Sequence, residues 1–364
     1  MRAALSLARR GLGMAWPNPA VGCIIVRGGA VVGRGWTRPG GRPHAEAEAL
    51  RRAGRKARGA CAYVTLEPCN HQGVTPPCAQ ALLDAGIARL VGACEDPDPR
   101  TAGGGYARLR QAGVEVVTGI LRAEAQALNA GFVMRIRDGR PLVTLKTATT
   151  LDGRIAARSG RSQWITGPQA RARGHLLRAS HDAIMIGIGT ALADAPALTC
   201  RIAGLEARSP VRIVVDTKLR LPLDSVLATT ARATPTWIVT VAGEAKHAAL
   251  SALGVDVIPV AAGDDGRPDP GAVMQALGAR GITRLLVEGG GALAGALLQA
   301  DLIDRMAWFR TAGVMGGDGI AAVAGYGVSD PGQMARFTRT ARIALGCDSL
   351  EEFERIRLRP CSPD

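Results

Sequence analysis

His44, Glu46, Cys69 and Cys78 are the residues whose types and order could do chemistry together. One His and two Cys can hold a zinc ion, which prefers four tetrahedral ligands, and leave the fourth position to water. Glu46, two residues past the His, is not needed as a ligand and is free to move protons. Water on zinc is acidic enough to give hydroxide near neutral pH. Attack on an amidine-like ring carbon, with Glu46 passing a proton to the departing amine, would be hydrolytic deamination. Taken singly, each residue reads as an unrelated buried or loop position. Their shared order, with Pro68 directly before Cys69, favours the metal.

These groups need elements to position them. The spacing of Ala4, Leu5, Leu7, Ala8 and Leu12 predicts a helix over 1–15, stopped by Gly11, Gly13 and Pro17-Asn18-Pro19. Strands are expected at 21–26 and 30–34 around a Gly28-Gly29 turn. A helix from His44 to about Arg55 would aim His44 and Glu46 into a site at the end of the sheet, and Pro43 suits its first turn. A strand over 62–66, a helix from Cys78 to about 85, a strand at 90–93, a helix at 106–112 and a strand at 114–117 continue an alternating α/β pattern. Cys78 at a helix start favours the thiolate. Asn18 reads either as an amide presented rigidly to a heteroaromatic ring or as an Asx-turn residue.

The order His44-x-Glu46…Pro68-Cys69…Cys78 follows the HxE…PCxxC logic of zinc nucleobase deaminases, with eight residues between the cysteines instead of two. Pro17-Asn18-Pro19-x-Val21-Gly22, Pro43-His44-Ala45-Glu46, the Glu67-Pro68-Cys69…Thr75-Pro76-Pro77-Cys78 loop and Asp96-Pro97-Asp98-Pro99 resemble the bifunctional riboflavin-biosynthesis deaminase–reductase family. The resemblance implies a cytidine-deaminase-like α/β/α domain over 1–140 in which His44, Cys69 and Cys78 ligate Zn2+ and Glu46 is the catalytic proton shuttle. It also implies substrate contacts at Asn18, His71, Asp96 and Asp98. Two positions depart from the family's habit: Thr37 stands where a His is common, and Val74 where a basic residue follows the loop glycine.

A connecting helix over 121–133 ends at Asp138-Gly139-Arg140-Pro141, where the domain boundary is placed. Strands are expected at 141–146, 183–188, 211–215, 236–240, 255–260 and 284–287, with helices at 168–179 and 293–300 among those alternating with them. That is a mostly parallel α/β domain. Glu288-Gly289-Gly290-Gly291 joins the last of these strands to a helix. Such glycines can bring backbone N–H groups to a pyrophosphate or merely make a tight turn.

Lys146-x-Ala148-x-x-Leu151-Asp152-Gly153, Ser162-Gln163-Trp164-Ile165-Thr166, the run Thr190…Asp194…Leu198…Arg201, and Glu288-Gly-Gly-Gly resemble the reductase half of the same family. The resemblance implies a dihydrofolate-reductase-like domain over 141–364 that uses NADPH. Ser162, Trp164, Thr190, Asp194, Glu288, Gly289, Gly290 and Gly291 would line the cofactor. Arg178, Leu198 and Arg201 would meet the sugar-phosphate substrate, and Lys146 its ribose or phosphate. Asp152, Glu288 and a water all remain open as the proton donor. The implied reactions are removal of the 2-amino group from a diaminopyrimidinone ribosyl phosphate, then reduction of the opened ribose at C1′.

The whole chain sets outer bounds. A length of 364 residues suggests two domains. No apolar run is long enough for a transmembrane helix, and the first residues lack a signal peptide's apolar core, so a cytoplasmic protein is expected. The eight cysteines show no disulfide framework, and Cys361 reads as a free thiol. A net charge of +14 fits nucleic acid, anionic substrates or a generally basic composition. The basic residues are scattered, and Phe 4, Trp 5 and Tyr 3 leave few rings for stacking on single-stranded bases. A small phosphorylated pyrimidine is therefore expected as partner, with no nucleic acid or membrane, in a homo-oligomeric enzyme. The rivals are a nucleic-acid deaminase and a non-catalytic zinc protein. The first should show an aromatic-lined channel, and the second four protein ligands.

Overall fold

In a computed structural model of the chain, residues 1–72, 76–241 and 246–356 are described, so Val74 and Cys361 lie outside the described residues. The chain divides into two compact units, Met1–Pro141 with Gly278–Thr283 and Leu142–Leu277 with Arg284–Asp364. No helix among the described residues is long and apolar enough to cross a membrane.

The first unit runs α1 (Arg2–Ala8), β1 (Gly22–Arg27), β2 (Ala30–Trp36), α2 (Ala45–Ala53), β3 (Cys61–Val64) and α3 (Cys78–Asp84). It continues with β4 (Arg89–Gly92), α4 (Gly104–Gln111), β5 (Glu115–Val117), α5 (Arg122–Leu128) and α6 (Ala130–Asp138). Its five strands lie in the order β2-β1-β3-β4-β5. β1 pairs antiparallel with both β2 and β3, while β3, β4 and β5 are parallel. Ile25, Ala45, Ala49, Ala62, Val64, Leu82, Leu90 and Leu109 pack into one core. Small residues at 45 and 49 let α2 lie close on the sheet. A Cβ at Gly35 would come within 2.1 Å of the Ala45 carbonyl, and one at Gly33 within 2.3 Å of the Ala49 carbonyl. The expected helix over 1–15 is shorter: α1 ends at Ala8 and a 3-10 turn over Arg9–Gly11 replaces its second half. Glycines at 11 and 13 are poor helix formers.

The second unit begins with β6 (Leu142–Thr149), β7 (Arg154–Ala156), α7 (Pro168–Ala179), β8 (Ala183–Gly187), α8 (Ile188–Asp194), β9 (Val211–Val215) and α9 (Val226–Thr229). Then come β10 (Thr236–Thr240), α10 (His247–Ala252), β11 (Asp256–Pro259), α11 (Pro270–Ala279), β12 (Arg284–Val287) and α12 (Gly291–Gln299). β13 (Arg305–Arg310), β14 (Ile320–Ala321), β15 (Phe337–Leu345) and β16 (Asp348–Arg355) close the chain. The large sheet has the order β11-β10-β9-β8-β12-β6-β13-β16-β15. Its strands are parallel from β11 through β13. Parallel strands covered on both faces read as continuous apolar runs, which is why Ala183-Ile-Met-Ile and Val211-Arg-Ile-Val-Val were legible as strands. β16 and β15 add an antiparallel edge that the sequence reading did not assign. β15 alternates part-buried and exposed residues and carries Arg339, Thr340 and Arg342, so it lacks the apolar density of the inner strands.

Because β2 and α2 touch through main-chain atoms, Gly35→Ala is expected to cost at least about 1–3 kcal/mol by overpacking. A Cβ at Gly187 meets no atom within 4 Å, so Gly187→Ala should stay within about 0.5 kcal/mol of the parent. Thermal unfolding of the two purified variants checks the contrast.

Candidate active sites

His44 is the N-cap of α2, with extended backbone, and Glu46 lies in the helix's first turn. Cys78 opens α3 and donates its backbone N–H to the Cys69 Sγ at 3.3 Å. The His44 Nδ1 lies 3.3 Å from the Cys78 Sγ and 3.6 Å from the Cys69 Sγ. All three donor atoms fall within 4.8 Å of one another. A tetrahedron with bonds of about 2.0–2.3 Å has edges of roughly 3.5 Å, so these residues fit zinc. Cys69 is drawn down to about 4, first by its hydrogen bond with Cys78 and then by His44. Cys78, on the other side of that bond, is raised. Burial pushes Glu46 up to about 7, against the opposing pull of His44.

The cavity over this triad is lined by Asn18, His44, Glu46, Cys69, His71, Asp96 and Asp98, so the sequence-expected residues of the first site meet in one place. Asn18 makes a contact distant in sequence, not a local Asx turn: its Nδ2 donates to the Gly41 carbonyl at 3.1 Å. A Cβ on Gly41 would come within 2.2 Å of that nitrogen, and φ is +82° there, so Gly41 admits no other residue without strain. The His71 Nδ1 lies 3.2 Å from the Thr101 hydroxyl. Burial raises Asp96 to about 6, whereas the Arg100 guanidinium holds Asp98 below the usual carboxylate range.

Sequence reading missed several participants. Thr37 lines the cavity and accepts the Val21 N–H at 2.9 Å. Arg42, Arg100, Phe132 and Arg135 also line it. Glu67 stands at the head of the Glu67-Pro68-Cys69 motif. Its buried carboxylate accepts four backbone N–H groups, from Asp96 at 3.2 Å, Gly103 at 2.9 Å, Gly105 at 2.8 Å and Tyr106 at 3.1 Å. Nothing in local spacing announces that cradle, because its donors lie up to 39 residues away.

In the second unit a cleft of about 480 Å³ is lined by Lys146, Ser162, Thr190, Asp194, Glu288, Gly289, Gly290 and Gly291. The Gly290 N–H donates to the Thr190 hydroxyl at 3.2 Å. Gly187 and Gly189 also line the cleft, and a Cβ at either would meet no protein atom within 4 Å. That leaves bare main chain facing the cleft beside a helix N-terminus, a wall that suits the phosphates of a dinucleotide. Arg178 donates to Glu288 through Nε at 2.8 Å and Nη2 at 2.9 Å, and Lys146 Nζ approaches the same carboxylate at 3.4 Å. Those cations outweigh burial and hold Glu288 well below its ordinary value. Asp152 is likewise lowered, chiefly by the Thr150 hydroxyl and then by the Met315 and Gly316 N–H groups. Both shifts favour the carboxylate form, and of the two Glu288 lines the cleft.

Four expected residues, Trp164, Arg178, Leu198 and Arg201, are not brought to the cleft wall. Trp164 is 66% exposed, with the Arg171 guanidinium 4.5 Å from its ring. Leu198 is buried in the core with Ile184 and Ile186, which leaves only its main chain for any ligand. Arg201 is exposed and lies against His175. Arg178 reaches the site through Glu288.

Two family models match: the RibD C-terminal domain over residues 141–349, and the cytidine and deoxycytidylate deaminase zinc-binding region over residues 1–94. The riboflavin biosynthesis protein RibD of Escherichia coli is 44% identical over 330 residues, covering 87% of this chain and 88% of that one. The Actinobacillus pleuropneumoniae protein of the same name is 41% identical over 355 residues, covering 97% and 94%. Among solved structures, Acinetobacter baumannii RibD superposes with a TM-score of 0.88 at 36% identity, covering 98% of both chains. A Thermotoga maritima structure, titled a diaminohydroxyphosphoribosylaminopyrimidine deaminase/5-amino-6-(5-phosphoribosylamino)uracil reductase, gives 0.87 at 33% identity, covering 98% of this chain and 97% of that one.

Glu67→Gln swaps one acceptor oxygen for an amide NH2 and strands a pair of backbone donors. At about 1–3 kcal/mol for each unpaired group, it is expected to cost about 2–6 kcal/mol and to loosen zinc retention. Thermal unfolding and metal content after dialysis against a chelator check this.

Proposed function

The chain belongs to the RibD family of riboflavin-biosynthesis deaminase–reductases, and from that premise we propose which of its residues perform each step. The enzyme is bifunctional. It hydrolyses the 2-amino group of 2,5-diamino-6-ribosylamino-4(3H)-pyrimidinone 5′-phosphate in a zinc-dependent step, then reduces the ribosyl group to ribityl with NADPH. Its halves are cytidine-deaminase-like and dihydrofolate-reductase-like.

In our reading, residues 1–140 carry the first step. His44, Cys69 and Cys78 would hold the metal, which supplies an acidified water at neutral pH. Glu46 takes a proton from the attacking water and returns it to the departing amino group, so that C–N is exchanged for C=O and ammonia leaves. A carboxyl buried beside the metal ligands is suited to both halves of that transfer, because burial raises its affinity for a proton above that of an ordinary glutamate. Asn18, His71, Asp96 and Asp98 hold the pyrimidine. The carrying observation is the His44, Cys69 and Cys78 donor set with Glu46 buried beside it.

Residues 141–364 carry the second step. Ser162, Trp164, Thr190, Asp194 and Glu288 through Gly291 would hold NADPH, which supplies the hydride. Lys146, Arg178, Arg201 and the Leu198 main chain would hold the sugar phosphate. Arg178 and Lys146 fix Glu288 as an anion at the cleft wall, and a water completes the proton supply. We extend the reading to a cytoplasmic homo-oligomer with no nucleic-acid or membrane partner. Thiol ligands call for a reducing compartment, and the open edge at β15 offers unpaired strand groups to a second copy.

Glu46→Gln is expected to lower ammonia release by at least about 10²-fold, to retain zinc, and to leave NADPH oxidation on supplied deaminated intermediate unchanged. Metal removal should likewise stop ammonia release alone. Parallel ammonia and 340 nm assays check both, and loss of the two activities together would contradict the assignment.

A further inference from the structure

We propose that His175 is a positioning residue of the reductase half, holding Arg201 in place for the phosphorylated sugar. The proposal rests on the assignment of Arg201 to the substrate made above.

One stretch of α7 arranges the polar groups of this site. At Gly174 a Cβ would lie 3.9 Å from the Lys146 Cε, so the lysine passes close over the helix. One turn on, Arg178 binds Glu288 and donates through Nη1 to the Thr199 carbonyl at 3.0 Å. Between them stands His175. The Arg201 backbone N–H points at His175 Nδ1 at 3.3 Å, and the Arg201 Nε at His175 Nε2 at 3.4 Å. The loop is tied from below as well: the Cys200 thiol donates to the His175 carbonyl at 3.5 Å, and the Cys200 N–H to the Ser209 hydroxyl at 3.1 Å.

A neutral imidazole has one bare ring nitrogen. The ring therefore accepts from only one Arg201 donor at a time, the main chain at a bare Nδ1 or the guanidinium at a bare Nε2, and it is the tautomer with Nε2 bare that holds the side chain. An imidazolium accepts from neither and repels the guanidinium. An exposed arginine without such a stop samples many rotamers, and a bidentate phosphate contact needs one.

The surroundings favour the neutral ring. Arg178 on the same helix, Lys146 on β6, Arg201 and Cys200 on the loop and Glu288 after β12 are the charged and titratable groups around it. Burial lowers its pKa first, then Arg178 and Arg201; Glu288 and the Thr199 carbonyl oppose them. Protonation, and with it release of Arg201, is confined to the acid side of an ordinary imidazole.

The test uses the full-length enzyme, the deaminated ribosyl phosphate and NADPH oxidation. His175→Leu should raise KM for that substrate about tenfold, the scale of one lost hydrogen bond to a charged group, with kcat and ammonia release unchanged. His175→Gln, which keeps an acceptor, should restore most of the affinity. The wild-type KM should climb below pH 6.5 more steeply than that of His175→Gln. The comparison is needed because the substrate phosphate also gains a proton near pH 6. Arg201→Ala separates the two layers of the inference. If it raises KM while His175→Leu does not, or if His175→Gln and the wild type share one pH profile, the positioning role is overturned and the Arg201 assignment stands. If Arg201→Ala leaves KM unchanged, that assignment fails and the proposal with it.

Discussion

The first unit depends on how Glu67 is satisfied. A carboxylate removed from water must be met by donors or cations, and here the main chain meets it with four N–H groups. Those donors come from the Asp96 loop and the start of α4. Glu67 stands two residues before Cys69, so one side chain ties a metal ligand, two cavity aspartates and a helix terminus into a single arrangement. The second unit buries a glutamate too, and solves the problem differently. Glu288 is met by Arg178 and Lys146, side chains from α7 and β6, so its cradle is made of charge. Glu46 is the third case: a buried acid beside the His44, Cys69 and Cys78 cluster, whose carboxyl burial pushes up. Backbone amides, cations and a thiol–imidazole cluster give three glutamates three different surroundings.

The zinc site was legible because its residues are short in separation and rare in type. His44 and Glu46 share a helix start, and Cys69 and Cys78 flank one loop. The parallel strands were legible for a related reason, since β8 is apolar throughout and β9 and β12 are apolar but for one arginine each. What escaped is what long-range contact decides. Arg178 reaches Glu288 across 110 positions and Lys146 across 142, and no spacing rule connects them. Glu67 resembled any acid in a motif until its amide partners were seen. Leu198 was expected beside substrate, yet its side chain belongs to the core, a distinction that depends on which way the chain turns. β13, β15 and β16 were not read as strands because edge and half-covered positions mix charged and apolar residues.

The two departures in the first site have different structural standing. Val74 lies outside the described residues. Thr37 is buried and holds the Val21 amide at the start of β1, so the position has a defined task with a hydroxyl in it. The cavity also carries Arg42, Arg100 and Arg135, a basic wall that suits an anionic substrate. The chain's surplus of arginine thus has at least one local expression, at a site where phosphate must be handled.

The contact between α2 and β2 bears on how Glu46, the proposed proton shuttle, behaves in time. Most helices ride on a cushion of side chains, whose rotamers can yield and let the helix drift. At Gly33 and Gly35 that cushion is missing, and carbonyls of the helix lie against bare strand. The first turn of α2, with Glu46 on it, therefore inherits the stiffness of main chain in van der Waals contact. The entropy of placing the acid is lost once, when the chain folds, and little remains to be lost at each turnover.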